Sequence, residues 1–310
     1  MVEGESVRVA AIDCGTNSLR LLIADIEGDN LREVYRDMRI VRLGQGVDQN
    51  KAFAPEAVER TLGVTQEYSD LIRAKGVERM RFCATSATRD ATNRNLFIDG
   101  VRNILGISPE VIPGVEEAAL SFLGATKQIS QTLAPFLVVD IGGGSTEFVL
   151  GESEVMAAHS VNIGCVRMSE RHLVSQPPTA EQLVAATADV DAAILEAGSY
   201  VHFETAQTLI AVAGTATTVA AAALGLTEYD RHAIHLARIP AQKVHEVAEM
   251  FAAMTRAEIA ALGYMHAGRV DVITSGSFVL SRVMKLTGAT EFVASESDIL
   301  DGIAWGLATI

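Results

Sequence analysis

The chain has 310 residues, 49% of them apolar and only 5% aromatic, which points to two domains with cores filled by Ala, Val, Ile and Leu. A net charge of −14 disfavours non-specific binding to nucleic acid or to an anionic membrane. It leaves a polyanionic ligand possible, because a few arginines and a bound cation reverse the local sign. Cys14, Cys83 and Cys165 are odd in number, far apart and set among small or apolar neighbours. They read as buried thiols in a reducing compartment, not as a disulfide framework or a zinc site.

The first residues, Met1 to Ser6, are acidic where a signal peptide would be basic, so a cytoplasmic location is expected. Val7–Ile12 is an apolar strand, Asp13 to Ser18 a turn, and Leu19–Ile26 the strand returning beside it. Asn30–Leu43 completes an antiparallel meander and ends in the turn Arg42–Val47. A helix begins near Pro55 and ends by Gly76, with Val58, Leu62 and Ile72 on one face. Met80–Ala84 is a strand leading into Thr85–Asn93, and Glu110–Pro113 is another. Gly114 then turns the chain into a helix carrying Glu116, Glu117, Leu120 and Leu123.

The second half repeats this logic. Phe136–Val139 is an unbroken apolar run, the pattern of a strand covered on both faces, and a second strand returns beside it through Leu150. Thr179 to Gln182 is a capping box opening a helix to Gly198, with Leu183, Val190 and Ile194 as its apolar stripe. Leu209–Ala213 is a strand running into Gly214–Thr218 and an Ala-rich helix. Thr274–Ser277 is expected between a strand and a helix, and a last helix spans about Ile299–Leu307. The apolar stretch Thr208–Leu226 is interrupted by Gly and Thr, so it reads as buried loop and helix and not as a membrane span.

Two turns carry the chemistry. Asp13, Gly15 and Ser18 recur as Asp140, Gly142 and Ser145, an offset of 127 residues (140 − 13), about one domain length. In the second turn Gly142, Gly143 and Gly144 permit dihedrals and close backbone approach that side chains forbid. Backbone N–H groups with Ser145 and Thr146 can hold phosphate oxygens, and Asp140 the Mg²⁺ that accompanies them. Neither turn has the G-x-x-x-x-G-K-[ST] spacing of a P-loop. A single Asp beside Gly would be only a turn former; recurrence at matched spacing makes Asp13 and Asp140 metal candidates.

Four segments together resemble the exopolyphosphatase and guanosine pentaphosphate phosphatase family: Ala11–Ser18, Thr85–Asn93, Gly114–Ala118 and Val139–Glu147. Weaker agreement runs through Gly164–Arg167, Ala213–Thr217, Arg269–Ile273 and Ser297–Gly302, in family order. The resemblance implies an α/β fold of two ribonuclease H-like domains, as in actin, sugar kinases and chaperone ATPases, facing across a cleft. Domain I would span 1–126, with a C-terminal helix at about 298–310 packed back on it, and domain II 127–297. Beside longer members, which continue into additional helical domains, the resemblance implies a short, two-domain form.

The resemblance assigns Glu117 as the base that activates water. The bland reading is an acidic residue in a helix's first turn complementing the macrodipole. Adjacent helical residues point about 100° apart, so Glu116 and Glu117 cannot both face one phosphate. Arg89 and Asn93 match the family's R-x-x-x-N, and on one helix such an i,i+4 pair would share a face and reach the same phosphate. Gly15, Asn17, Ser18, Gly142, Gly143, Gly144, Ser145 and Thr146 would supply loop contacts; Arg20 and Arg269 would extend a basic track. Glu147 either assists metal or water, as the family pattern suggests, or is the polar face of an alternating strand. Gly214–Thr218 is either the counterpart of an adenosine-binding loop or, preferably, a closely packed helix N-cap. His232 and His235 have H-x-x-H spacing but no further ligand pattern, so they read as a solvated loop.

The leading expectation is a Mg²⁺-dependent hydrolase that removes the terminal phosphate of inorganic polyphosphate, of guanosine pentaphosphate, or of both. It carries no nucleic-acid or membrane partner, and the family implies a homodimer. The alternatives are an ATP-dependent small-molecule kinase of the same fold and a non-catalytic alarmone or polyphosphate sensor.

Overall fold

The computed structural model describes residues 6–308; the acidic Met1–Glu5 and the last two residues of the expected C-terminal helix lie outside it. The chain divides into two compact units, one running to Gly124 and resuming at Ile299, the other Ala125–Asp298.

In the first unit, β1 (Val7–Cys14), β2 (Ser18–Glu27), β3 (Asn30–Ile40), β4 (Arg79–Ala84) and β5 (Glu110–Val111) form a sheet of order β3-β2-β1-β4-β5. The meander β1-β2-β3 is antiparallel, whereas β4 and β5 add in parallel on the other side. β1 and β2 are almost wholly buried because helices cover both their faces; β3, with its alternating charges, is an edge. The helices are α1 (Val47–Asn50), α2 (Pro55–Ala74), α3 (Ser86–Asp90), α4 (Asn95–Leu105) and α5 (Gly114–Thr126). Pro55 starts α2 because its missing N–H is an orphan there anyway. α2 and α4 pack closely, Gly100 lying where a Cβ would strike Leu62 at 2.5 Å.

In the second unit, β6 (Phe136–Ile141), β7 (Thr146–Gly151), β8 (Val155–Val161), β9 (Thr208–Val212), β10 (Arg238–Pro240) and β11 (Glu291–Ala294) are ordered β10-β11-β9-β6-β7-β8. Read from β8 to β11, this repeats the first sheet's order and strand directions, with β10 appended antiparallel. The duplication inferred from two turns is thus a duplication of whole sheets. The helices are α6 (Cys165–Arg171), α7 (Ala180–Tyr200), α8 (Ala213–Ala223), α9 (Arg231–Ile234), α10 (Ala241–Ala253), α11 (Arg256–Ala260) and α12 (Ile273–Thr287). α7 opens on the expected capping box, Thr179 Oγ1 accepting from Gln182 N and Gln182 Oε1 from Thr179 N, both at 3.3 Å.

α13 (Ile299–Ala308) returns to the first unit and is apolar but for Asp301, because it is buried against β1 and β2. Gly302 permits this, since a Cβ there would lie 1.9 Å from the Leu120 carbonyl oxygen. Arg36 pins the helix by two hydrogen bonds to Asp301, at 2.5 and 3.3 Å.

Two expectations need correction. Thr274–Ser277 is not a connection but the first turns of α12. Gly276 serves close packing there, its absent Cβ lying 2.5 Å from Thr215 Oγ1 and 3.2 Å from Cys165. His232 is solvated as expected but lies in the one-turn α9, capped by Asp230, whereas His235 is half-buried and its Nδ1 accepts from Glu296 N at 3.2 Å. Thr208–Leu226 folds as β9 and α8, and among the described residues no helix is long and apolar enough to cross a membrane.

Candidate active site

In each unit three parallel strands deliver their carboxyl ends to one edge, the position where open α/β sheets bind ligands. In the first unit these are β1, β4 and β5, followed by the Asp13 turn, the Arg89 helix α3 and the Glu117 helix α5. The turn closes by Gly15 N donating to Ser18 O at 3.0 Å. Its outer side is tied to the chain after β3: Asn17 O accepts from Val41 N and Arg42 N, and Thr16 O from Gly44 N, at 2.9 to 3.0 Å. Gly44 is required, since a Cβ would strike Thr16 at 2.3 Å and Ala87 at 2.8 Å.

Glu117 is nearly buried, and its Oε2 accepts from Arg89 Nη1 at 2.7 Å. The same Arg89 nitrogen donates to Ile112 O at 2.9 Å, fixing the guanidinium against the end of β5. Glu116 instead accepts from Arg81, so the two adjacent glutamates diverge as helix geometry requires. The structure therefore brings Arg89 and Glu117 together. It does not join Asn93 to them through a shared helix face. α3 ends at Asp90, where Ala91 turns extended (φ −82, ψ 125), so the i,i+4 premise fails. The Asn93 amide is instead used on Phe53, accepting from its N at 2.8 Å and donating to its O at 3.0 Å.

Asp13 is buried, and its Oδ2 accepts from Arg20 Nε at 2.9 Å and Nη2 at 2.7 Å. Arg20 is its cross-strand partner in the β1-β2 ladder, so this arginine neutralises Asp13 and does not extend a basic track by itself.

In the second unit the turn closes in the same way, Gly142 N donating to Ser145 O at 3.0 Å. Its glycines do not use left-handed dihedrals: positive φ among the described glycines is confined to other turns. Gly142 serves close approach, a Cβ there lying 3.2 Å from Ser145 O. α6 abuts the turn, with Val166 N and Arg167 N donating to Gly143 O and Cys165 N to Gly142 O, at 2.9 to 3.0 Å. A Cβ on Gly164 would lie 2.5 Å from Gly143 O. The buried Arg167 completes the clamp, its Nε donating to Gly144 O at 2.6 Å. The sequence reading assigned Arg167 no role; its signals are its place in the weakly family-like segment Gly164–Arg167 and a cation in the otherwise apolar run Cys165–Met168. Thr146 faces inward, its hydroxyl donating to Ile163 O at 2.5 Å, so it braces the turn.

Glu147 is fully buried on a strand covered on both faces, so the polar-face reading fails. It pairs directly across the ladder with Asp140, and its Oε1 accepts from Ser160 at 2.7 Å. Like charges in directly opposed positions repel, and a hard divalent cation would offset that repulsion. The pair where the first unit has Asp13 and Arg20 is thus Asp140 and Glu147 here. Among the described residues no three His, Cys, Asp or Glu side chains converge. Mg²⁺ keeps several waters and takes one or two carboxylates with substrate phosphates. The donor chemistry of Asp140 and Glu147 fits the ion; Asp13 in its own unit is already neutralised by Arg20.

Gly214–Thr218 does not form a side-chain N-cap: α8 starts at Ala213, strained at φ 65, after Val212 with no capping hydrogen bond. The close-packing half of that reading holds, because Arg269 lies on Gly214, 2.3 Å from where a Cβ would be, and Nη1 donates to Thr218 Oγ1 at 3.0 Å. Burial pushes the Cys165 thiol up to about 11, the Cys83 thiol up to about 12, and the Cys14 thiol upward too, so no thiolate nucleophile is prepared.

Residues 22–306 match the Ppx/GppA phosphatase family. The chain belongs to that family. It is 48% identical to exopolyphosphatase 2 of Mycobacterium tuberculosis over 97% of this chain and 98% of that one. A Ppx/GppA enzyme of Aquifex aeolicus superposes with a TM-score of 0.82 at 27% identity, covering 97% of this chain and 100% of that one. An exopolyphosphatase from Cytophaga hutchinsonii superposes with a TM-score of 0.86 at 26% identity, covering 98% of each chain. The Ppx/GppA structures share the two-domain, actin-like α/β architecture, in keeping with the repeated sheet order.

Proposed function

We propose that this protein is an exopolyphosphatase, hydrolysing the terminal phosphoanhydride bond of inorganic polyphosphate, with guanosine pentaphosphate as the close alternative substrate. The carrying observation is the Arg89–Glu117 pair: a nearly buried carboxylate held by a guanidinium at the carboxyl edge of β1, β4 and β5. Phosphoryl transfer leaves the protein mainly positioning and charge stabilisation. Glu117 orients the attacking water and takes its proton, and Arg89 shifts its charge onto the transferred phosphoryl as negative charge develops there. The Gly15–Ser18 and Gly142–Ser145 turns offer N–H groups and hydroxyls to phosphate oxygens. Mg²⁺, held by Asp140 and Glu147, would neutralise the phosphates. The product is orthophosphate and a chain one unit shorter; no covalent intermediate is needed.

The guanidinium of Arg269 on Gly214 disfavours the kinase reading, since the surface a nucleoside would need is covered by a side chain of the same unit. The protein is placed in this reading in the cytoplasm as a homodimer without nucleic-acid or membrane partners. The test is orthophosphate release in Mg²⁺ from short polyphosphate, long polyphosphate, guanosine pentaphosphate and ATP. Release from one of the first three, with ATP inert, supports the reading and ranks the substrates. Release from none of them, with ATP bound in calorimetry, overturns it in favour of a kinase or sensor.

A further inference from the structure

The second unit holds a cavity of about 310 Å³ at the end of its sheet away from Asp140 and the glycine turn. That volume falls at the lower end of small-molecule sites, roughly 300 to 1,000 Å³. β6, β9 and β11 run parallel, and they supply the apolar wall through Leu137, Leu209 and Val293, with the half-buried ring of Phe203 beside them. Small residues keep the space open. Ala206, Gly288 and Ala289 line it, and a Cβ on Gly288 would meet no atom within 4 Å. Gly288 is held there by the backbone, since it closes α12 at φ 73, in the left-handed region that favours glycine.

The polar part of the lining is short of donors. Thr208 Oγ1 already donates to Leu133 O at 2.7 Å, and Thr287 Oγ1 to Val283 O at 2.8 Å. Gln207 uses its amide nitrogen on Thr132 O at 3.5 Å, so its carbonyl oxygen is the end left to accept. Arg238, the one cation lining the cavity among the described residues, is engaged by Glu291, Nη1 to Oε1 at 2.5 Å. Glu204 meets His202 at 3.5 Å, and an imidazole offers little charge at pH 7 with which to offset a carboxylate. α12 adds its C-terminus, where the helix carbonyls carry about half a negative charge. The lining is therefore net negative and rich in acceptors, beside an apolar wall.

We propose that this cavity binds a small organic ammonium, a primary amine carried on an apolar body. An ammonium group brings three donors and no acceptor, the complement of this lining. The apolar body covers Leu137, Leu209 and Phe203, which a hydrated metal ion or a bare ammonium would leave wet. The same lining repels a phosphate, so the cavity is not a second seat for the substrate. The proposal stands apart from the catalytic reading: Leu137 precedes Asp140 by three residues, about 10 Å along β6, and no residue of the candidate active site lines the cavity.

The test is ligand-observed saturation-transfer NMR on the full chain with n-hexylamine, which is protonated at pH 7, against hexanoate and methylamine. Hexanoate keeps the apolar body and reverses the charge; methylamine keeps the charge and drops the body. The expected result is saturable binding of n-hexylamine, half-complete at about 1 mM, with either control at least about 10-fold weaker. Two variants locate the site. Glu204→Lys, at an exposed position, sets a cation at the rim, and Ala289→Leu fills the cavity from the connection between α12 and β11. Each should weaken n-hexylamine at least about 5-fold, with melting temperatures checking that the variants fold. Should Ala289→Leu fail to fold, Glu204→Lys decides alone. Absence of saturable binding, a control that binds as tightly as n-hexylamine, or a folded Glu204→Lys protein that binds it like the parent would each overturn the proposal.

Discussion

Gly164→Ala isolates what holds the second phosphate turn. The added Cβ would lie 2.5 Å from Gly143 O, 2.6 Å from Gly143 C and 2.7 Å from Gly144 N, against 3.4 Å or more for ordinary contact. The obstacle is backbone, so no rotamer change relieves it, and the turn or α6 must retreat by about 0.7 to 0.9 Å. That movement stretches the bonds from Val166 N and Arg167 N to Gly143 O and from Cys165 N to Gly142 O. Overpacking of this kind costs about 1–3 kcal/mol, or roughly 2–12 °C in melting temperature for a unit of this size. Misplacing binding groups by about 1 Å costs about 100-fold in rate. The loss in kcat should therefore exceed what the fraction unfolded explains. Calorimetry and orthophosphate release, measured at a temperature where both proteins are folded, read the two effects separately. Gly63→Ala is the control: it lies exposed in α2 with no atom within 4 Å of the new Cβ, and it should stabilise by about 0.5–1 kcal/mol without touching kcat. A Gly164→Ala protein with the parent's melting temperature and kcat within a few-fold would refute the clamp.

Arg167→Met should act in the same direction, because it leaves Gly144 O buried without its donor, a loss of about 1–3 kcal/mol, and lets the turn relax; kcat is expected to fall at least about 10-fold, measured by the same release assay. In the first unit Asp25 accepts from Arg8 at 2.6 and 2.9 Å and also from Arg32, and the Arg8 hydrogen bonds foremost hold its carboxyl below the usual range. A depressed folded value contributes stability that is present above the unfolded value of about 4 and is lost as pH falls through the lower folded value. The melting-temperature gap between parent and Asp25→Asn should accordingly be constant from about pH 8 to 5 and close below about pH 4; a gap that widens in acid would contradict the assignment. Chelation by EDTA should abolish orthophosphate release and Mg²⁺ restore it, and Asp140→Asn should raise the Mg²⁺ concentration for half-restoration by more than Asp13→Asn does, because Arg20 already neutralises Asp13.

What the sequence made legible was local. Both Asp-x-Gly-x-x-Ser turns could be read because each is a strand, a turn and a returning strand, and the structure closes both with the same Gly N to Ser O bond. Glu117 and Arg89 were found as members of separate short segments, and their mutual hydrogen bond closes a gap of 28 residues that no periodicity reports. Arg167 escaped for the same reason: its partner Gly144 lies 23 residues earlier, across β7 and β8. Asn93 was misplaced because the R-x-x-x-N spacing presumes an unbroken helix, whereas the chain leaves helical dihedrals at Ala91. Thr274–Ser277 misled because a glycine among hydroxyl residues looks like a turn when its use is helix packing. Asp13 and Asp140 look alike in sequence and differ in setting, since Arg20 and Glu147 occupy matched cross-strand positions with opposite charge.

The measurement that bears most directly on the catalytic assignment is kcat for orthophosphate release from polyphosphate in saturating Mg²⁺, parent against Glu117→Gln. Gln keeps the volume and an oxygen able to accept from Arg89 Nη1, so the fold and the local geometry survive while the capacity to take a proton is lost. The account predicts a fall of about 100- to 10,000-fold in kcat with little change in melting temperature. Turnover within a few-fold of the parent would contradict it and remove Glu117 as the base.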